Sequence, residues 1–270
     1  MTRKDVVKII LLVLLLSAAY IPSFIWMFER WTAPGTYYTH GFLIPLLCLC
    51  IAFQKRRELK AAVLRPSKPG WLFFVIAVLL YALSALWQVY FSGAVSLIIM
   101  IASLILLFFG RDVARILSFA VGFLIFMVPI PLIMIARLSF KLKVIASEIA
   151  VQMVRAAGID AVREGGLILT SRTYLVVDEP CSGMRSLIAL IALAALVQYY
   201  TRVGLIRRSV ILLSAIPVAV ISNALRIFVL TIVAQLYGAH VIEGLVHDAS
   251  GLLVFAAAFV ALFVIAKLLE

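Results

Sequence analysis

The chain has 270 residues, 66% of them hydrophobic and only 13% charged, with a formal net charge of +12. Soluble globular chains carry about 45–50% apolar and about 25% charged residues, so no soluble core can hold this excess and lipid must solvate much of the surface. The basic residues fall mostly in short segments between apolar runs, which ties them to membrane topology and anionic lipid and argues against a nucleic-acid partner.

Crossing a hydrocarbon core of roughly 30 Å takes about 20 residues at 1.5 Å each. Eight apolar runs are read as spanning helices, at about 6–28, 39–54, 71–91, 94–110, 114–135, 185–201, 209–237 and 250–268. The first is long enough to span and has no A-x-A cleavage site, so it is expected to be a retained helix and not a signal peptide. The second is short and needs polar flanks at the interface. The fifth contains Pro129 and Pro131, which predict a kink or an early exit. The expected fold is an all-α membrane protein, a polytopic bundle of about eight transmembrane helices forming a single integral membrane domain over 1–270.

The sizeable insertion is 136–184. Residues 136–157 mix Arg137, Lys141, Lys143, Glu148 and Arg155 with regularly spaced aliphatics, the pattern of an amphipathic helix on the membrane surface, ended by Gly158. Residues 162–170 and 172–178 are read as two short strands around Ser171, with Gly165–Gly166 as a break, making a small β-hairpin before the sixth helix.

Basic residues set the orientation. Segment 54–70 carries Lys55, Arg56, Arg57, Lys60, Arg65 and Lys68, and segment 202–208 carries Arg202, Arg207 and Arg208. The short segments 29–40, 91–94 and 238–249 carry only Arg30. The positive-inside rule then puts both termini inside and the 136–184 insertion outside.

Of the three cysteines, Cys48 and Cys50 lie two apart in an apolar run and point to different sides of a helix. There is no CxxC and no HExxH, so no metal or other cofactor is expected. Cys181 is different. It lies in Glu179-Pro180-Cys181-Ser182-Gly183-Met184-Arg185, where Pro180 suits a helix start and an apolar helix follows. A thiol at a helix N-terminus has a lowered pKa and is a better nucleophile. A structural cysteine in a capping turn is the plainer alternative.

Arg226, in Ser222-Asn223-Ala224-Leu225-Arg226, sits in an apolar run, about 26 Å above Ser209 by helical rise and close to the outer boundary. An intramembrane arginine marks a functional site unless it merely snorkels to the interface. Asn223 shares its helix face. His247, in Val246-His247-Asp248-Ala249-Ser250-Gly251, precedes the eighth helix and can exchange protons near neutral pH; Asp248 or Ser250 is a candidate cap for that helix. An interfacial histidine without a role is the alternative. Helix counting puts Cys181, Arg226 and His247 at one depth, where a nucleophile, a cation and a proton carrier can perform acyl transfer. His40, in Tyr38-Thr39-His40-Gly41, and His240 compete with His247 for the base role, and Arg185 competes with Arg226.

Cys181-Ser182-Gly183, Asn223-x-x-Arg226, and His247 with Gly251 resemble the three signature blocks of the exosortase/archaeosortase family. The strand residues 174–177 and Thr39-His40-Gly41 are also similar to that family. Pro180 departs from it, since many members carry a small residue there. The resemblance implies a multi-pass cysteine transpeptidase with Cys181 as nucleophile, Arg226 as transition-state stabiliser and His247 as proton carrier. Ser182, Gly183, Arg185, Asn223 and His40 are then supporting or substrate-binding candidates. Its partners would be exported proteins ending in a short motif such as Pro-Glu-Pro, a transmembrane helix and a basic cluster, with an acceptor nucleophile of unknown identity. Two rival readings are a transporter with a polar pathway near Arg226 and His247, and a non-catalytic scaffold for envelope assembly. Polar groups clustered at one face, without an inverted repeat, argue against the transporter.

Overall fold

A computed structural model describes residues 11–12, 14–177, 183–201, 203–242 and 244–270, with the side chains of Leu245, His247 and Asp248 outside the description. The chain divides into two compact units, residues 1–130 and 131–270.

The first unit contains α1 (Ile21–Thr32), α2 (Leu43–Gln54), the short basic α3 (Arg56–Ala61), α4 (Pro69–Trp87), α5 (Tyr90–Phe108) and α6 (Arg111–Phe123). Small hydroxyl residues let these helices approach. A Cβ at Gly93 of α5 would stand 2.7 Å from both Ser23 Oγ and Ser84 Oγ, and Tyr20 and Ser96 share a buried 2.9 Å hydrogen bond. A proline pair ends the unit, as expected. After α6 the chain takes one 3-10 turn (Leu124–Met127), and the next helix starts only beyond Pro131.

The second unit contains α7 (Leu132–Ala156), strands β1 (Ala161–Glu164), β2 (Leu167–Thr170) and β3 (Tyr174–Val176), then α8 (Met184–Tyr200), α9 (Leu205–Tyr237) and α10 (Leu245–Leu269). Gly158, at φ +84°, follows the end of α7. The hairpin expected from the sequence is instead a three-stranded antiparallel meander, ordered β1-β2-β3. Gly165 and Gly166 do not break a strand. They form the two-residue turn between the paired Glu164 and Leu167, with Gly165 at φ +61°, a conformation that favours glycine.

The inner face of this sheet packs on helices. Ala161, Ile168, Leu175 and Val177 form one buried cluster with Ala146, Ala150 and Val154 of α7 and Ile227 and Leu230 of α9. Polar contacts fix the β2–β3 turn as well: Thr170 Oγ1 lies 2.6 Å from Gln235 Oε1, and Gln235 Nε2 donates to Ser171 Oγ at 3.1 Å.

At 33 residues, α9 is about 50 Å long and exceeds a membrane core. Arg207 and Arg208 mark one end of it, and the sheet is attached near the other. It runs antiparallel to α10. Arg207 Nη1 donates to Leu269 O at 2.9 Å, and nineteen residues along, Arg226 meets the residue nineteen back from Leu269.

Four described helices are long and apolar enough to cross a membrane: α4, α5, α9 and the 249–269 part of α10. A fifth span arises if residues 111–127 and 132–156 count as one broken crossing. The eight spans expected from composition are therefore not matched. The runs at 39–54 and 185–201 form helical segments of under 18 residues, the run at 114–135 is interrupted at the prolines, and the run at 6–28 lies partly outside the described residues. The all-helical class with a small sheet is otherwise as expected.

Gln235→Ala is expected to free the Ser171–Arg172 turn at a cost of about 1 kcal/mol. Limited trypsin digestion should then cut faster after Arg172, while cutting within the basic 55–60 segment stays unchanged.

Candidate functional site

The second unit brings together residues from three separate stretches of chain. Arg226 of α9 is 8% exposed and Asn223, one turn earlier, is 3% exposed. Both lie on the face of α9 turned into the protein, which removes simple snorkelling as an account of Arg226. Arg226 Nε donates to Ser250 Oγ at 3.1 Å. Gly251 lies against the same guanidinium: a Cβ there would stand 3.3 Å from Nη2 and 3.5 Å from Cζ. A side chain at 251 would press on the guanidinium and require it to shift by a few tenths of an ångström.

Gly183 supplies the third stretch. It is the N-cap of α8, with φ +75°. A Cβ on it would stand 2.9 Å from Asn223 Cβ and Cγ. The start of α8 is thereby seated on α9 one turn from Arg226. Leu187 N and Ser186 Oγ both donate to Gly183 O, which fixes the first turn of α8. Leu142 and Ala146 of α7, Gly183 and Leu187, and Ala219, Val220 and Asn223 of α9 meet here along a seam too tight to admit a water molecule.

Two of the sequence-derived candidates, Cys181 and Ser182, lie outside the described residues. His247 belongs to the first turn of α10, three residues before Ser250, and its side chain lies outside the description. Asp248 and Ser250 are not caps: α10 starts at Leu245, five residues before the expected start, so both are inside the helix. Ser250 serves instead as the acceptor for Arg226. Arg185 is exposed in the first turn of α8, unlike the buried Arg226. His240 is exposed, and Gly238 lies beside its ring.

His40 belongs to the first unit, in the 3-10 turn Thr39–Phe42, with its ring 5.8 Å from that of Tyr38. Its Nε2 is buried and makes no hydrogen bond. Gly41 is required there by packing, since a Cβ would fall 2.3 Å from Trp31 Nε1, whose N–H donates to Met127 O at 2.8 Å. Tyr38 Oη accepts from Ile130 N at 3.0 Å, and burial holds its hydroxyl above the ordinary tyrosine pKa. Thr39-His40-Gly41 thus sits in a rigid corner of the first unit.

Sequence reasoning missed the pairing of Ser250 with Arg226. The serine was visible only as a capping residue, because nothing in a spacing of 24 residues across two helices announces a contact.

Gly183→Ala should strain the left-handed N-cap and push on Asn223. It is expected to cost about 1–3 kcal/mol, read as a lower unfolding temperature in detergent, whereas Gly204→Ala, where a Cβ meets nothing within 4 Å, should change little.

A family model described as transmembrane exosortase matches residues 31–264, most of the chain, a range within which positions 181–183, 223–226 and 247–251 fall. No curated protein and no solved structure gives a significant match. The family is generally one of membrane cysteine transpeptidases that act on exported proteins bearing sorting signals. With its long apolar helices and this match, the chain is a multi-pass integral membrane protein and belongs to the transmembrane exosortase family.

Proposed function

We propose that this protein cleaves the C-terminal sorting signal of exported proteins at the outer face of a prokaryotic inner membrane and passes the cleaved protein to an acceptor. In this reading Cys181 is the nucleophile, Arg226 stabilises the transition state and His247 carries protons. The observation that supports it most is the buried Arg226, bonded to Ser250 at 3.1 Å, one turn from the Asn223 on which Gly183 rests. Gly183 is two residues from Cys181, and Ser250 and Gly251 are three and four residues from His247, the spacings that share a helix face.

The Cys181 thiolate attacks the scissile carbonyl carbon. The carbonyl oxygen takes up negative charge, which a buried guanidinium stabilises strongly because little water competes with it. The C–N bond then breaks, and the leaving amine takes a proton from His247. An acceptor nucleophile, either an amine or water, gives a proton back to His247 and attacks the thioester, and the thiolate is regenerated. Asn223 and Gly183 position the N-terminal turn of α8. The substrate's own transmembrane helix lies beside the enzyme, with its basic end on the inner side, following the positive-inside arrangement.

Co-expression with membrane-anchored substrates tests this. Cys181→Ala is expected to abolish C-terminal processing. Arg226→Ala should lower it about 10²–10³-fold, the loss found for single oxyanion donors. Arg226→Lys should restore only part of it, because a lysine has no Nε donor for Ser250. Unchanged processing in Cys181→Ala would refute the cysteine mechanism.

A further inference from the structure

The small sheet has two edges, and the fold treats them differently. Along β1, Ala161 O accepts from Arg155 Nε of α7 at 2.7 Å, and Arg163 pairs with Glu148 of α7 at 3.2 Å. That edge is occupied by side chains of α7, one of the ways proteins blunt exposed strands.

Among the described residues, the edge at β3 is left open. Thr170 N donates to Thr173 O and Val177 N donates to Gly166 O, which sets the phase of the β2–β3 ladder. Antiparallel ladders alternate, so Leu175 turns its main-chain groups to β2, whereas Tyr174 and Val176 turn theirs outward. No described residue bonds those outward groups. The side chains of Tyr174 and Val176 are 56% and 48% exposed, while Leu175 and Val177 are buried. The chain then runs directly on to Cys181, five residues after Val176 and at most about 18 Å away.

We propose that the outward edge of β3 binds the extended backbone of the substrate as a fourth strand and so delivers the scissile bond to Cys181. The inference rests on the reading of Cys181 as nucleophile. A row of main-chain donors and acceptors in strand register is satisfied by another extended chain, and a peptide awaiting attack at a main-chain carbonyl is such a chain. Main-chain bonds tolerate varied side chains. They hold the segment before the cleavage site, while the side chains of Tyr174 and Val176 offer contacts to alternate residues. Gln235 holds the β2–β3 turn to α9 and so keeps the strand in place relative to Arg226.

The full-length enzyme in liposomes can be given a synthetic tail from an exported protein that it processes. The tail carries a single backbone N-methyl group at each position in turn before the cleavage site. Every second position should lose at least tenfold in processing rate, with the positions between unaffected. On the enzyme, Val176→Pro removes one outward N–H and leaves the β2 ladder intact, so it should also lose at least tenfold; Val176→Thr, which keeps that N–H and changes only the side chain, should lose far less than Val176→Pro. A flat or uniform N-methyl profile would overturn the proposal, whatever the fate of Val176→Pro. So would cross-linking from position 176 to a second enzyme copy in place of substrate. Cys181→Ala, run in parallel, separates the two ideas. If it is inactive and the profile is flat, only the strand proposal fails; if it still processes substrate, the cysteine mechanism fails.

Discussion

A buried arginine on a helix that crosses lipid organises the second unit. A lone arginine costs about 2.5–3.5 kcal/mol at the centre of a membrane helix on insertion scales, and less toward the boundary where Arg226 is expected. Hydrogen bonds to charged groups contribute about 1.5–3 kcal/mol each. The bond from Arg226 Nε to Ser250 Oγ therefore offsets much of the penalty, and it does so only if α9 and α10 keep one register. The contact of Arg207 with the carbonyl of Leu269 at the opposite end of the helix pair holds that register. Glycine at 251 and glycine at 183 allow the close approaches on either side of this face.

The same arrangement explains why a small sheet belongs to an otherwise helical membrane protein. A 33-residue helix has more length than a bilayer needs, and the surplus at the end remote from Arg207 receives the sheet. Ile168, Leu175 and Val177 bury against α7 and α9, so the strand that leads to Cys181 is anchored on the helix that carries Arg226. The mechanism proposed for this chain needs a nucleophile, a cation and a substrate backbone in one place, and anchoring the sheet on α9 restricts the strand that leads to Cys181 relative to Arg226.

Much of this was legible from residue patterns. Hydrophobic excess demanded lipid, paired prolines at 129 and 131 ended a helix, and Gly158 marked the end of another. Arg226 stood out because charge is rare in such runs, and it is buried in the second unit. The number of crossings was not legible, because hydropathy measures apolar length and says nothing of where a helix breaks. Glycine pairs also misled: Gly165–Gly166 reads as an interruption along the chain, whereas in three dimensions it is a tight turn that makes one strand into two. Ser250 was invisible as a partner because its role depends on the pairing of α9 with α10, which local spacing does not encode.

The covalent intermediate is the most direct test of the whole account. Enzyme mixed with a processed substrate and quenched within its turnover time should carry an acyl adduct that hydroxylamine removes. Peptide mass spectrometry should place it on Cys181, at far lower occupancy in Arg226→Ala. An adduct on another residue, or efficient processing with Cys181 unmodified and replaceable, would contradict the assignment of this site.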